Sequence, residues 1–354
     1  MSANQKLIPG MNGLRAISIS IVVLSHIVIA FYPNLVNQKL PLFFNGFFGV
    51  NIFFVLSGFL ITRLLLLEEI KYGFISLKNF FVRRVLRIFP AYYFLLFVYF
   101  IINRYGIIYI DISPNSWLTA LTYTKYFNWN LDFETLHFWS LSVEEHFYVF
   151  WPLIFLAGKK TRNIFIAAVL IGIPMVRFYF ANFHMEQTNF LSMTILFRID
   201  AIIMGCGLAV IIEKQKRFEA IKKLNLKLGV FIIFSLLLIQ FIPLWSHIKA
   251  IEVLRQALLG SFATLSNLAI AAIIVLIYFN PQAMVVKGLN TFILDWVGRL
   301  SYSIYLWQQL FLSGKSGTVF QLPWNILMIL AIAAFSYYVI EVRILKFTKY
   351  FRKA

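Results

Sequence analysis

At 354 residues, 61% hydrophobic and only 13% charged, the chain is too apolar for a soluble domain, whose apolar share sits near ~45–50%. A formal net charge of +18 on such a chain reads as membrane topology plus attraction to anionic headgroups, and is no argument for nucleic acid. The single Cys206 rules out a disulfide framework and a cysteine-based metal cluster.

Apolar runs of about 20 residues, each long enough to cross a hydrocarbon core, recur along the whole length. They predict an all-α polytopic membrane protein with about ten spans: 14–33, 47–67, 86–103, 138–157, 164–180, 192–212, 228–245, 258–279, 293–313 and 321–342. No Pro/Gly/Ser-rich linker or charged tail divides 1–354, so one integral membrane domain is expected. Of the 32 Lys and Arg, only Lys39, Arg104, Lys125, Arg177, Lys249, Arg255 and Lys315 fall outside when the N-terminus is cytoplasmic. Arg198 lies inside a span, and the rest gather on the inner side, as the positive-inside rule requires. Both termini are then expected in the cytoplasm.

The first span reads "GLRAISISIVVLSHIVIAFY" and carries Arg15 and His26. Eleven residues at 100° each return to within roughly 20° of the starting direction, so the two side chains share a face ~16 Å apart. Ionisable residues within spans are costly and usually functional. By depth they fall into two layers. The cytoplasmic layer holds Arg15, Arg63, Arg83, Arg84, Arg87, Arg299 and Glu341; the outer-half layer holds His26, Glu144, Glu145, His146, Arg198, Asp200, Gln308 and Gln309. Arg63 or Arg299 alone is adequately explained as an anchor. Arg83, Arg84 and Arg87 in "FFVRRVLRIFPAYY" exceed what orientation needs, and guanidinium forks suit phosphate.

The fourth span begins "HFWSLSVEEHFYVFWPL", where His137, Ser140, Glu144 and Tyr148 form one polar stripe at helical spacing. Glu145 points about 100° away. Arg198 and Asp200 stand two apart and face different directions, so structural ion pairing with other helices is expected of each. The outer segment 104–137 offers Asp111, Trp117, Trp129, Asp132 and Glu134, aromatics and carboxylates suited to sugars. The five histidines show no metal-ligand spacing, and no metal is expected.

Six stretches, in order, resemble motifs of the acyltransferase-3 family of integral membrane acyltransferases. They are the Arg15/His26 spacing, "FFGVNIFFVLSGFLIT", "RRVLRIFPAYY", "FWSLSVEEHFYVFWPL", "FRIDAIIMGCGLA" and "LSYSIYLWQQ". The chain departs from the family pattern at Gln308, where a histidine is common, and at Arg343, where a proline is. The resemblance implies transfer of an acyl group, commonly acetyl from acetyl-CoA, onto a hydroxyl of a carbohydrate or related molecule. Acyl-CoA would then be a co-substrate with no permanently bound cofactor. The other partners would be a polysaccharide or lipid-linked sugar and the bilayer of a bacterial plasma membrane.

On that reading Arg15, Arg84 and Arg87 hold the CoA phosphates, and the pantetheine arm runs up the Arg15–His26 face. His26 acts as general base or as acyl-carrying nucleophile, oriented by Glu144. Asn51, Ser57, Tyr148 and Trp307 are candidates for oxyanion or substrate contacts. The alternative is a transporter or flippase of an anionic glycolipid, although no duplicated halves or paired broken spans are visible. A catalytically silent scaffold would tolerate His26→Ala and leaves the Arg/His face without a purpose.

Overall fold

The computed structural model describes residues 8–32, 34, 46–108, 110–127, 132–183, 198–214, 229–230, 233–235, 238, 261–313 and 317–351. The predicted span 228–245 lies largely outside them, as does Trp129. Among the described residues the regular structure is helical and no strand occurs.

The elements are α1 (Met11–Phe31), α2 (Gly46–Tyr72), α3 (Leu77–Tyr105), α4 (Pro114–Leu121), α5 (Phe133–Leu136), α6 (Phe138–Leu156), α7 (Gly158–Phe183), α8 (Ile199–Lys214), α9 (Phe262–Phe279), α10 (Met284–Leu289), α11 (Phe292–Phe311) and α12 (Trp324–Phe335). A π-helical turn, Ser336–Glu341, continues α12 into α13 (Val342–Leu345) and a final 3₁₀ stretch, Lys346–Phe351. Six runs are long and apolar enough to cross a membrane unaided: α1, α2, α3, Gly158–Phe180, α9 and Trp324–Phe351. The other predicted spans miss that standard for visible reasons. Helix α6 carries Glu144, Glu145 and His146, α11 carries Asp295, Arg299, Gln308 and Gln309, and α8 has 16 residues. The protein is a polytopic all-α membrane protein.

Large apolar side chains such as Leu24, Phe97, Phe100, Ile171 and Met175 are exposed on the outer helix faces, where lipid replaces water as the neighbour. Segments expected in the cytoplasm meet at one end of the bundle. Arg83 donates to Glu68 (3.3 Å) and to the carbonyl of Phe351 (2.8 Å). Arg162 pairs with Glu69 at 3.4 Å and Arg63 with Glu213 at 3.2 Å. The start of α1 is tied to the start of α11 by Asn12 donating to Asp295 at 2.8 Å.

Helices α2 and α8 touch backbone to backbone. A Cβ at Gly58 would stand 1.8 Å from the Ile202 carbonyl oxygen, and one at Gly205 2.0 Å from that of Val55. Helices α1 and α11 meet in the same way, since a Cβ at Gly298 would lie 1.9 Å from the Asn12 carbonyl. Small residues at such crossings let dispersion and backbone packing hold helices together where no hydrophobic effect operates.

The outer segment folds down into the bundle. Gly106 ends α3 in the left-handed region at φ 61°, and the Ser113 side chain with Pro114 starts α4. Tyr92 and Tyr93 donate to the carbonyls of Ala120 (2.8 Å) and Leu121 (2.9 Å). Tyr123, at φ 54° a backbone region that a bulky side chain rarely adopts, stacks on Tyr92 with ring centres 4.3 Å apart. Lys125, counted outside from the sequence, is buried and donates to Ser116 at 2.7 Å. Burial lowers its ammonium pKa to about 8 against the opposing pull of Asp132. Burial works against the charge of Asp132 too, yet hydrogen bonds from Ser116 and Ser113, with Lys125 nearby, hold its carboxyl below the usual range. Asp132 and the buried Glu134 are thus built into this outer cap, while Asp111 is exposed and Trp117 half-buried.

Candidate active site

On α1, Ile17, Ser20 and Leu24 form the exposed stripe. At 100° per residue Arg15 and His26 point roughly opposite to it, into the bundle, as the spacing predicts. Both are half-buried although they face inward, as are Ser57, Arg84, Glu144 and Glu145. These partly exposed polar side chains face inward from α1, α2, α3 and α6, and we read the space between them, with α11 alongside, as a cleft.

The inner part of the cleft is an arginine layer. Ser57 donates to Glu144 Oε1 at 2.7 Å, and the Tyr148 hydroxyl donates to Ser57 Oγ at 3.3 Å. Arg15, Arg84 and Arg87 all lie within charge range of Glu144, and Arg84 also sits 5.7 Å over the Tyr148 ring. Glu145 shares the field of Glu144 and Arg84. Glu341 accepts from Ser303 and lies near Arg87, placed there by the π-helical turn, a local widening common at functional sites. Among the described residues, none of Arg15, Arg84 and Arg87 makes an ion pair or hydrogen bond.

Among the described residues, Arg63, Arg83, Arg162, Arg177, Arg198 and Arg299 each have a polar partner, while Arg104 and Arg343 are exposed. Besides the end pairs already described, Arg299 pairs with Asp295 at 3.0 Å. Arg177, counted outside from the sequence, is buried in an ion pair with Asp200, which also accepts from Asn267 at 3.1 Å. Arg198 donates to Asn51 Oδ1 at 2.9 Å and lies 4.4 Å over the Phe47 ring. Arg198 and Asp200 thus face apart and each pairs with another helix.

The outer part of the cleft is different in kind. His26 has Gln308 as its polar neighbour and lies within charge range of His137. Seven buried polar atoms without a partner collect here on five residues: Nδ1 of His26, both ring nitrogens of His137, Nε1 of Trp307, both amide atoms of Gln308 and Oε1 of Gln309. Buried polar groups are normally hydrogen-bonded, so a concentration of bare ones marks a place that a ligand or water completes. Trp307 is 1% exposed and meets Phe94 edge-on at 5.8 Å.

Three placements differ from the sequence expectation. Glu144 and Glu145 belong to the arginine layer, and Glu144 meets Ser57 and the arginines rather than His26. Residue counting from an assumed outer rim fails because the outer cap carries the start of α6 below that rim, with His137 already buried. Seven residues further along, about 10 Å deeper, Glu144 comes level with Arg15. Asn51 and Ser57, expected near the reacting carbonyl, are engaged with Arg198 and Glu144. His146 leaves the cleft altogether: its Nδ1 contacts Tyr126 OH at 2.8 Å beside an apolar cavity of about 220 Å³ lined by Phe147, Trp151 and Phe165. The sequence overlooked His137 as a site residue, although its place at the head of the His137–Tyr148 stripe was the signal available.

Comparison with known proteins agrees with the motifs. The acyltransferase domain family matches residues 8–340. A Staphylococcus aureus (strain COL) protein named "Putative O-acetyltransferase" is 30% identical over 322 residues, covering 85% of this chain and 50% of its own. The protein named "O-acetyltransferase OatA" from S. aureus strain NCTC 8325 is 29% identical over 329 residues, with the same two shares. The chain therefore spans about half the length of the curated relatives it matches. No solved structure matches it. Arginine-to-histidine face, glutamate stripe and family match converge: the chain belongs to the acyltransferase-3 family of membrane acyltransferases.

Proposed function

We propose that this chain moves an acyl group, acetyl in the simplest case, from acyl-CoA to a hydroxyl of a carbohydrate acceptor. A cell-surface polysaccharide or its lipid-linked precursor in a bacterial plasma membrane fits best. The observation that carries the reading is the contrast among arginines: the buried Arg162 and Arg177 are paired, whereas among the described residues the half-buried Arg15 and Arg84, with the exposed Arg87 beside them, make no ion pair or hydrogen bond. CoA is a cytosolic polyanion, and charge-assisted forks to phosphate are its natural anchors.

With the phosphates at the arginine layer, an extended pantetheine arm follows the Arg15–His26 face and brings its thioester to the histidine layer ~16 Å away. There an acceptor hydroxyl needs a base that is neutral near pH 7, which an imidazole supplies. Glu144 sits among the three arginines and balances their charge when no polyanion is present. That role replaces the orientation of His26. The outer cap, with half-buried Trp117 and exposed Asp111, stands on the side from which a sugar would approach.

The test is binding and turnover of acetyl-CoA by purified protein, with membrane glycans as acceptor, for wild type, His26→Ala and Arg15→Ala. His26→Ala is expected to bind acetyl-CoA normally and to lose about 10²–10⁴ in rate, while Arg15→Ala loses affinity. Wild-type protein that binds an anionic glycolipid but never releases CoA would favour the flippase alternative.

A further inference from the structure

We propose that His137 is a second catalytic histidine, whose ring donates a hydrogen bond to the acyl carbonyl oxygen as that oxygen becomes an oxyanion. The inference rests on the acyl-transfer reading above and assigns a group that the reading leaves unused.

His137 is 3% exposed and is fixed through its backbone: its carbonyl accepts from the Tyr305 hydroxyl at 2.8 Å, and Ser140 Oγ stands 3.2 Å from the same carbonyl. Ser140 and Tyr305 are themselves joined at 2.6 Å. The ring is flanked by Phe138 and Tyr305, with centres 4.3 and 5.4 Å away. These aromatic contacts hold the ring; one nitrogen faces the Leu306 carbonyl outside good hydrogen-bond geometry, and neither nitrogen has a well-formed partner. A histidine retained for the fold would spend at least one nitrogen on a neighbour, and a phenyl ring would fill this aromatic niche without stranding polar atoms. The bare nitrogens instead lie within charge range of His26, on the wall of the cleft where the thioester arrives.

Two neighbouring imidazoliums inside the bundle repel, so the pair carries at most one charge at a time. His26 is the half-exposed member and shares the donor's face, so it handles the proton; His137 stays neutral, with one N–H to give. The acceptor O–H gives its proton to His26 while its oxygen bonds to the thioester carbon. The carbonyl π pair moves onto oxygen, where the N–H of His137 meets it. On collapse the C–S bond breaks, its pair goes to sulfur, and the thiolate takes the proton from His26 to leave as CoA–SH.

The experiment compares steady-state turnover and acetyl-CoA binding for wild type, His137→Phe and His137→Asn in detergent. Phenylalanine preserves the aromatic packing and removes the donor; asparagine keeps an N–H. The expected result is wild-type acetyl-CoA affinity in both, kcat lowered about 100-fold in His137→Phe, and about tenfold of that recovered in His137→Asn. A His137→Phe enzyme retaining kcat within about threefold overturns the assignment while acyl transfer itself stands. Loss of acetyl-CoA binding in both variants also overturns it, because His137 would then be holding the bundle. A wild type that never turns over acetyl-CoA sinks the acyl-transfer reading, and this inference with it.

Discussion

Helices α7, α8 and α9 bury Arg177, Asp200 and Asn267, and each of these side chains has found another. Helices α1, α3, α6 and α11 surround Arg15, Arg84, His26, His137 and Gln308, with Arg87 exposed beside them. Among the described residues the three arginines make no ion pair or hydrogen bond, and the others have only each other's ends or the Leu306 carbonyl nearby. Both regions lie inside one bundle and both carry charge where charge is expensive. In the first, each polar side chain has at least one partner, although Arg177 Nε, Asp200 Oδ1 and Asn267 Oδ1 keep none, and the pairing adds helix–helix cohesion. In the second, that cohesion is forgone, and what remains is a surface shaped for something that arrives from outside the chain. Partnering, more than burial or residue type, separates the polar residues that hold this protein together from those that would act on a substrate.

That distinction can be broken most directly at Asp200. Asp200→Ala strands Arg177 in the interior and is expected to cost about 3–5 kcal/mol, read as a lowered thermal midpoint of the solubilised protein. The folded fraction should bind acetyl-CoA as wild type does; a selective loss of binding instead would place Asp200 in the site. Arg84→Gln tests the opposite corner. Removing an unpaired guanidinium should leave the midpoint within about 0.5 kcal/mol and raise the KM for acetyl-CoA about 10–100-fold, as befits a lost charged hydrogen bond. Were Arg84→Gln to unfold the protein with KM unchanged, the contrast between paired and bare arginines would lose its meaning.

The smallest effect sharpens the comparison at the outer cap, where Lys125 is buried with a folded pKa of about 8 against 10.5 when unfolded. Between those values the unfolded chain binds more protons, so this group's contribution to stability rises with pH from about 8 to 10.5. Below pH 8 the cost of burying its charge is felt in full. Lys125→Met should abolish that dependence. Thermal midpoints of the two proteins measured across pH 7–10.5 should converge or cross in the wild type's favour at the alkaline end.

Much of the cleft was legible in the sequence. The eleven-residue interval puts Arg15 and His26 on one inward face, and three arginines beside Pro90 proved to include the bare ones. The close helix contacts that Gly58 and Gly205 make lie within two of the family motifs, but the motifs alone did not say which helices would touch. What escaped was depth. A span's polar residues can be located only if its start is known, and the start of α6 is set by tyrosines of α3 drawing the outer segment inward, a tertiary effect that hydropathy does not encode. The partnership of Arg177 with Asp200 escaped for the same reason, because nothing local marks which helices will be neighbours. The bareness of His137 is likewise a property of its surroundings: its ring is polar in the sequence and idle only once Ser140 and Tyr305 have bonded to its backbone.

The glycine contacts carry a mechanical consequence. With α1 locked to α11 and α2 locked to α8 at carbonyl distance, these pairs cannot slide without a clash of main chains, whereas α3 and α6 meet them more sparsely. Any widening of the cleft must come from α3 and α6 swinging like a flap against a rigid frame. The frame carries Arg15, His26 and Gln308, so on the proposed reading the donor's anchor and the reacting histidine would keep one separation. On that reading the helix would act as a ruler, and the length of a thioester arm, more than the identity of its acyl group, is the quantity such a frame would measure.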